Sequence, residues 1–123
     1  NPGGVRIGTA EIYRSIESFE EIIDSVVIGK PEGSDVSIVL CLKLAEGMNI
    51  TKGFEDEIKL QIRNSTSPRH VPSFVFQVED IPYTISGKKV EKAVLHSILG
   101  KKIKNKDALA NPESLAEYAN LPF

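Results

Sequence analysis

The sequence has no tryptophan, one cysteine, one methionine and two histidines among 123 residues. A lone thiol, Cys41, closes no internal disulfide, so nothing marks a secreted, cross-linked framework. It lies in an apolar run, where a packed thiol is expected rather than a reactive one. His70 and His96 are too far apart in sequence, and Cys41 too isolated, to give the ligand spacing of a metal site. The longest apolar stretch, Ile38 to Leu42, is far too short to span a bilayer. The N-terminus carries neither a signal peptide's apolar core nor the Arg-rich pattern of a transit peptide. It also has no initiator methionine, and Asn1-Pro2-Gly3-Gly4 reads as a turn entered from an upstream chain. Charge of one sign is not in excess either. The formal net charge is −2, so the chain as a whole has no electrostatic pull toward nucleic acid or acidic lipid.

What is present is ordinary for a globular domain: 41% apolar and 26% charged residues, enough for a single hydrophobic core. After a short Val5-Arg6-Ile7 segment, Thr9 is placed to cap a helix running to about Phe19, with Ile12, Ile16 and Phe19 on one face. A strand follows from Ile22 to Ile28, closed by Gly29-Lys30-Pro31-Glu32-Gly33. Val36, Ile38, Leu40, Leu42 and Leu44 alternate with Asp35, Ser37 and Lys43, which predicts a second strand with one side on a core. Gly47 to Gly53 reads as a loop. From Phe54, Ile58 and Ile62 recur at helical spacing, with Glu55 and Lys59 on the exposed side and Pro68 as the stop. Phe74, Phe76 and Val78 form a third strand, and Ile81 to Lys89 a turn-rich loop. Val90, Val94 and Ile98 belong to a third helix that ends at Gly100. A polar link follows, and Asn111-Pro112 suits the start of a short last helix bearing Leu115 and Tyr118. This order predicts an α+β fold, a small three-stranded sheet packed with helices plus a short N-terminal β segment. Residues 1–100 form its body and residues 101–123 a C-terminal extension with a short helix.

Three places combine a loop with a cation: Gly3 to Thr9, Arg63 to His70, and Ser86 to Lys89. Glycine lets backbone N–H groups approach an anion, and Lys or Arg adds a full charge. None is a phosphate motif by itself. Ser86-Gly87-Lys88 lacks the spaced glycines of a Walker loop, no dinucleotide-binding glycine pattern is present, and no nucleophile triad is evident. As an isolated catalyst the chain is poorly equipped.

At these same loops the sequence resembles a known family. Gly3-Gly4-Val5-Arg6-Ile7-Gly8-Thr9-Ala10-Glu11-Ile12 is similar to the segment just past the hinge of the adenylate-forming CoA ligases. Pro82-Tyr83-Thr84-Ile85-Ser86-Gly87-Lys88-Lys89-Val90 resembles their C-terminal loop, in which a lysine follows Ser-Gly or Asn-Gly. The two motifs stand in the family's order and roughly at its spacing, and the resemblance covers nearly the whole chain. Ser67-Pro68-Arg69-His70-Val71-Pro72, Gly87-Lys88-Lys89-Val90-Glu91 and Asp107-Ala108-Leu109-Ala110-Asn111-Pro112-Glu113 are similar to its acetoacetate-activating branch. Another acyl- or aryl-CoA ligase, or a carrier-loading adenylation domain, is the neighbouring alternative.

The resemblance implies the small lid domain of a cytoplasmic enzyme that docks on its own large N-terminal domain and takes ATP and CoA as substrates. Mg2+ is expected in the full-length enzyme, bound outside this chain, and neither nucleic acid nor a membrane is expected as a partner. It implies Lys88 as the catalytic cation of adenylate formation, with Ser86 and Gly87 supporting its loop. By the same resemblance Arg6 would meet nucleotide phosphate, Gly4 would line the pantetheine channel, and Arg63 would meet the phosphates of CoA. In this family the lid swings through a large angle between the two half-reactions and so exchanges one face for the other.

Each residue also has a plainer reading. Lys88 is equally an ordinary solvated lysine, and a slip of one position would give its role to Lys89. Gly4 would then supply only a positive-φ turn, Arg6 would pair with Glu11, and Arg63 would only answer its helix dipole. His70 reads as a structural loop residue, and Lys101, Lys102, Lys104 and Lys106 as a solvated link. A non-enzymatic module using its basic loops on nucleotides or RNA is the rival of a different class.

Overall fold

A computed structural model describes residues 9–104 and 106–123. Within them four helices, α1 (Thr9–Ile16), α2 (Lys52–Ser65), α3 (Glu91–Ile98) and α4 (Leu115–Ala119), surround three strands, β1 (Ile22–Glu32), β2 (Asp35–Leu44) and β3 (Phe74–Gln77). The sheet order is β1-β2-β3, with β1 and β2 antiparallel and β3 parallel to β2. This is the expected α+β fold with a small three-stranded sheet. The expected Val5–Ile7 segment lies outside the described residues.

The centre of β2 is buried on both faces, not one. Leu40 and Leu42 join Ile12, Ile16, Ile58 and Ile62 in one apolar cluster, beneath α1 and α2. Val39 and Cys41, pointing the other way, join Val94, Leu109, Leu115 and Tyr118 beneath α3 and the C-terminal segment. Period-two alternation puts successive side chains on opposite faces. Because both faces meet a layer, both sets are apolar over Ile38 to Leu42. The sheet is therefore the middle of three layers.

Several element ends differ from expectation for identifiable reasons. β1 runs on through Pro31 to Glu32 and turns only at Gly33, whose φ is +64°. It is an edge strand, where a missing N–H costs no ladder bond on the open side. α1 ends at Ile16, and the N–H of Phe19 closes a turn on the Ile16 carbonyl. α2 begins at Lys52 and takes in Gly53, because the Thr51 hydroxyl accepts the Phe54 N–H at 3.1 Å and caps it. Its Glu55–Lys59 pair forms as expected, at 2.9 Å. α3 finishes in a Schellman arrangement. Gly100, at φ +72°, donates to Ser97, and Lys101 donates to His96. No described helix is long and apolar enough to cross a membrane.

Candidate functional site

Beyond β3 the chain passes through buried Ile81 and Pro82 into a hairpin whose base is the antiparallel bridge Tyr83–Lys89. The Gly87 N–H donates to the Thr84 carbonyl at 2.9 Å, and the Thr84 N–H donates to the Lys88 carbonyl at 2.8 Å. The Thr84 hydroxyl oxygen accepts the Lys88 N–H at 3.0 Å and lies 2.9 Å from Ser86 Oγ. Gly87 sits at φ +91°, a conformation open to glycine and costly for other residues. Ser86, Gly87 and Lys88 are exposed, and Ile85 is 72% exposed beside them. The loop is thus a closed turn presenting one cation and one apolar side chain to solvent.

The two adjacent lysines have opposite surroundings. Lys89 Nζ lies 3.5 Å from Asp24 Oδ1 and 4.0 Å from the centroid of the Tyr13 ring, so the domain itself holds that charge. Lys88 is exposed and makes no ion pair among the described residues. Of the two, Lys88 is the more open to a partner outside the domain.

Asp24 holds both arms of the hairpin, since Tyr83 donates its hydroxyl to Asp24 Oδ2 at 2.6 Å. A register shift between Ile22 and Asp24 inserts one extra residue into β1, a bulge of the kind that redirects a side chain. Tyr13 accepts the Val27 N–H at 2.8 Å and donates to Glu91. Burial, reinforced by the Glu91 carboxylate, holds the Tyr13 hydroxyl well above the usual tyrosine range. Burial and then Asp24 do the same to Tyr83. Both phenols therefore stay protonated and act as donors.

On the far side of the hairpin stands the C-terminal segment. The Ile85 N–H donates to the Ala108 carbonyl and the Ala110 N–H to the Tyr83 carbonyl, with Thr84 bridged to Leu109. Asn111 was expected to cap the last helix. Its side chain makes no cap bond to the 3-10 turn Pro112–Ser114 that follows, and reaches back instead to the segment entering the hairpin.

Arg63 is exposed in the last turn of α2. It lines an open depression of about 400 Å3 with Lys59, Leu60 and Pro68, in the α1/α2 layer. Lys88 does not line that depression, so the depression does not gather Arg63 and Lys88 into one site. Gly4 and Arg6 lie outside the described residues. His70 is engaged at both ring nitrogens, with Ser67 Oγ 2.7 Å from Nδ1 and Glu11 Oε2 3.0 Å from Nε2. That ties the turn Pro68–His70 to α1, as a structural residue would. Burial pushes the Cys41 thiol up to about 12, so it is inert at neutral pH. Among the described residues no three of His, Cys, Asp and Glu come together as a metal site. A cleft of about 660 Å3 opens between α3 and the C-terminal segment, past Lys89, Lys92 and His96, but Lys88 does not line it.

The chain is 50% identical over 121 residues to an acetoacetyl-coenzyme A synthetase of Rhizobium meliloti (strain 1021), a match covering 98% of this chain. The solved acetoacetyl-CoA synthetase from Streptomyces lividans superposes with a TM-score of 0.84 at 36% identity, over 93% of this chain and 18% of that one. Over nearly its whole length the chain is similar to acetoacetyl-CoA synthetases. It matches the C-terminal domain of these proteins and spans 19% of the length of the Rhizobium relative. A solved acyl-CoA synthetase from Brucella canis shares the fold, with a TM-score of 0.66 at 24% identity over 75% of this chain and 17% of that one. No protein-family model matches the chain.

Proposed function

We propose that this domain is the lid of a cytoplasmic acetoacetate–CoA ligase, and that Lys88 is its cation for adenylate formation. In the first half-reaction a carboxylate oxygen of acetoacetate bonds to the α-phosphorus of ATP. The bond from that phosphorus to the bridging oxygen breaks, and pyrophosphate leaves with the electron pair. Negative charge gathers around phosphorus as two anions meet, so a positioned ammonium stabilises the transition state more than the ground state. In the second half-reaction the thiol of CoA attacks the acyl carbon, loses its proton, and AMP departs, leaving acetoacetyl-CoA. The large domain supplies the acyl pocket, and Mg2+ accompanies the ATP phosphates outside this chain.

The observation that carries the reading is the contrast within the lysine pair: on a hairpin fixed by its own turn, Lys89 pairs with Asp24, whereas Lys88 is exposed and pairs with no carboxylate among the described residues. Gly4 keeps its proposed place in the pantetheine channel, Arg6 at nucleotide phosphate and Arg63 at the phosphates of CoA. That Arg63 lines a depression which Lys88 does not enter suits a lid that presents different faces in the two half-reactions.

The test uses the full-length enzyme carrying Lys88→Ala. Acetoacetate-dependent exchange of pyrophosphate into ATP should fall roughly a hundred- to a thousandfold, while conversion of supplied acyl-adenylate and CoA to thioester survives. Undiminished exchange would remove Lys88 from the chemistry. In the companion variant Gly4→Leu, the CoA step should be blocked and adenylation retained. Thioester yields from a panel of carboxylic acids separate acetoacetate from other acyl or aryl substrates.

A further inference from the structure

The hairpin that carries Lys88 has one arm, Tyr83 to Ile85, running beside Ala108 to Ala110. At the end of that short ladder, Asn111 uses both ends of its amide. Its Oδ1 accepts the Tyr83 N–H at 2.9 Å, and its Nδ2 donates to Asp80 Oδ2 at 2.9 Å and to the Ile81 carbonyl at 3.0 Å. One neutral side chain thus bonds three of the four residues that lead into the hairpin. Aspartate has the same shape but no donor, and would set a second carboxylate against Asp80. Alanine has neither function.

The anchor behind Asn111 is rigid. The Ser114 N–H and hydroxyl both donate to the Asn111 carbonyl, at 3.1 and 2.7 Å. Leu115 and Tyr118 are sunk in the apolar cluster below the sheet, and the Tyr118 hydroxyl donates to the Asp80 carbonyl at 2.7 Å. Asp80 is therefore gripped by its side chain from Asn111 and by its backbone from Tyr118. The connection to Lys88 is short: Asn111 fixes Tyr83, and the next residue, Thr84, bonds Lys88 through both its backbone N–H and its hydroxyl.

We infer that Asn111 is a positioning residue for adenylate formation, setting through Tyr83 and Thr84 where the hairpin delivers the Lys88 ammonium. The inference rests on the proposed role of Lys88. A displacement of about 1 Å in a reacting constellation can cost up to roughly a hundredfold in rate. The second half-reaction does not use the ammonium and should not register the change.

The experiment compares Asn111→Asp, Tyr118→Phe and Lys88→Ala in the full-length enzyme, with each half-reaction assayed separately. For Asn111→Asp the kcat of pyrophosphate exchange should fall about ten- to a hundredfold, with KM for ATP and acetoacetate nearly unchanged. The thioester step from supplied adenylate should keep its rate. Tyr118→Phe, which removes one hydroxyl and preserves the packed ring, should show the same selectivity at smaller size, and is read in place of Asn111→Asp if that variant fails to fold. Equal loss in both half-reactions, or no loss in either, overturns the inference. A collapse of exchange in Lys88→Ala beside an unaffected Asn111→Asp overturns it alone. Undiminished exchange in Lys88→Ala overturns the role of Lys88 and this inference together.

Discussion

On the α1/α2 side of the sheet, four isoleucines, Ile12, Ile16, Ile58 and Ile62, press on Leu40 and Leu42. On the other side Val94, Leu115 and Tyr118 supply similar apolar packing. There, however, the apolar layer is overlaid by directional bonds: Tyr83 to Asp24, Asn111 to Asp80 and Ile81, Tyr118 to the Asp80 backbone. Apolar contact is roughly proportional to area and indifferent to angle, whereas a hydrogen bond fixes both distance and direction. The α1/α2 side has directional contacts too, such as Ser65 to Ser15 and His70 to Glu11, but those named above are the ones that converge on the segment carrying the candidate catalytic lysine. The comparison separates holding a domain together from aiming one of its side chains.

The widest break in that comparison should come from Ile62→Ala, on the side held by packing. It removes a fully buried side chain and should cost about 2–5 kcal/mol in denaturant unfolding. In the full-length enzyme both half-reactions should decline together, as the folded fraction does. Alkaline pH should act next. All three tyrosines have hydroxyls held above the usual value of about 10, chiefly by burial. Their contribution is complete below that pH and is lost as pH rises, because the unfolded chain ionises while the folded one stays protonated. Stability should drop by about 1 kcal/mol between pH 10 and 11 for each tyrosine that remains protonated, approaching about 1.4 kcal/mol per pH unit above that. Flat stability between pH 10 and 11 would mean the phenols are not held as described. Gly87→Ala should cost about 1–2 kcal/mol, since alanine is strained at φ +91° even with open space around it. Adenylation should suffer beyond what that loss of stability explains. Smallest is Asp24→Asn, which keeps an acceptor for Tyr83 but discharges the partner of Lys89. A loss of about 0.5–1 kcal/mol is expected, shrinking in high salt.

Much of the fold was legible because it is written in local periodicity. The fourfold spacing of Ile58 and Ile62 and the alternation through β2 announce their elements. The second buried face of β2 was not, since Val39 and Cys41 are covered largely by a layer that arrives after residue 90. The loop motif pointed to Lys88, and the geometry distinguishes it from Lys89 through Asp24 and Tyr13, neither of which periodicity singles out. Asn111 was visible as a turn-starting residue beside proline. Its bond to Tyr83 spans 28 positions, a distance at which spacing rules carry no information. Polar contacts between remote segments are the part that only three dimensions disclose.

The burial of Tyr118 also bears on synthesis. Its ring helps fill the lower face of a sheet whose last strand ends at Gln77. On the ribosome, that face is not fully covered until some forty further residues are added. The nascent strands would meanwhile leave Val39 and Cys41 partly exposed, a period in which a chaperone has something to shield.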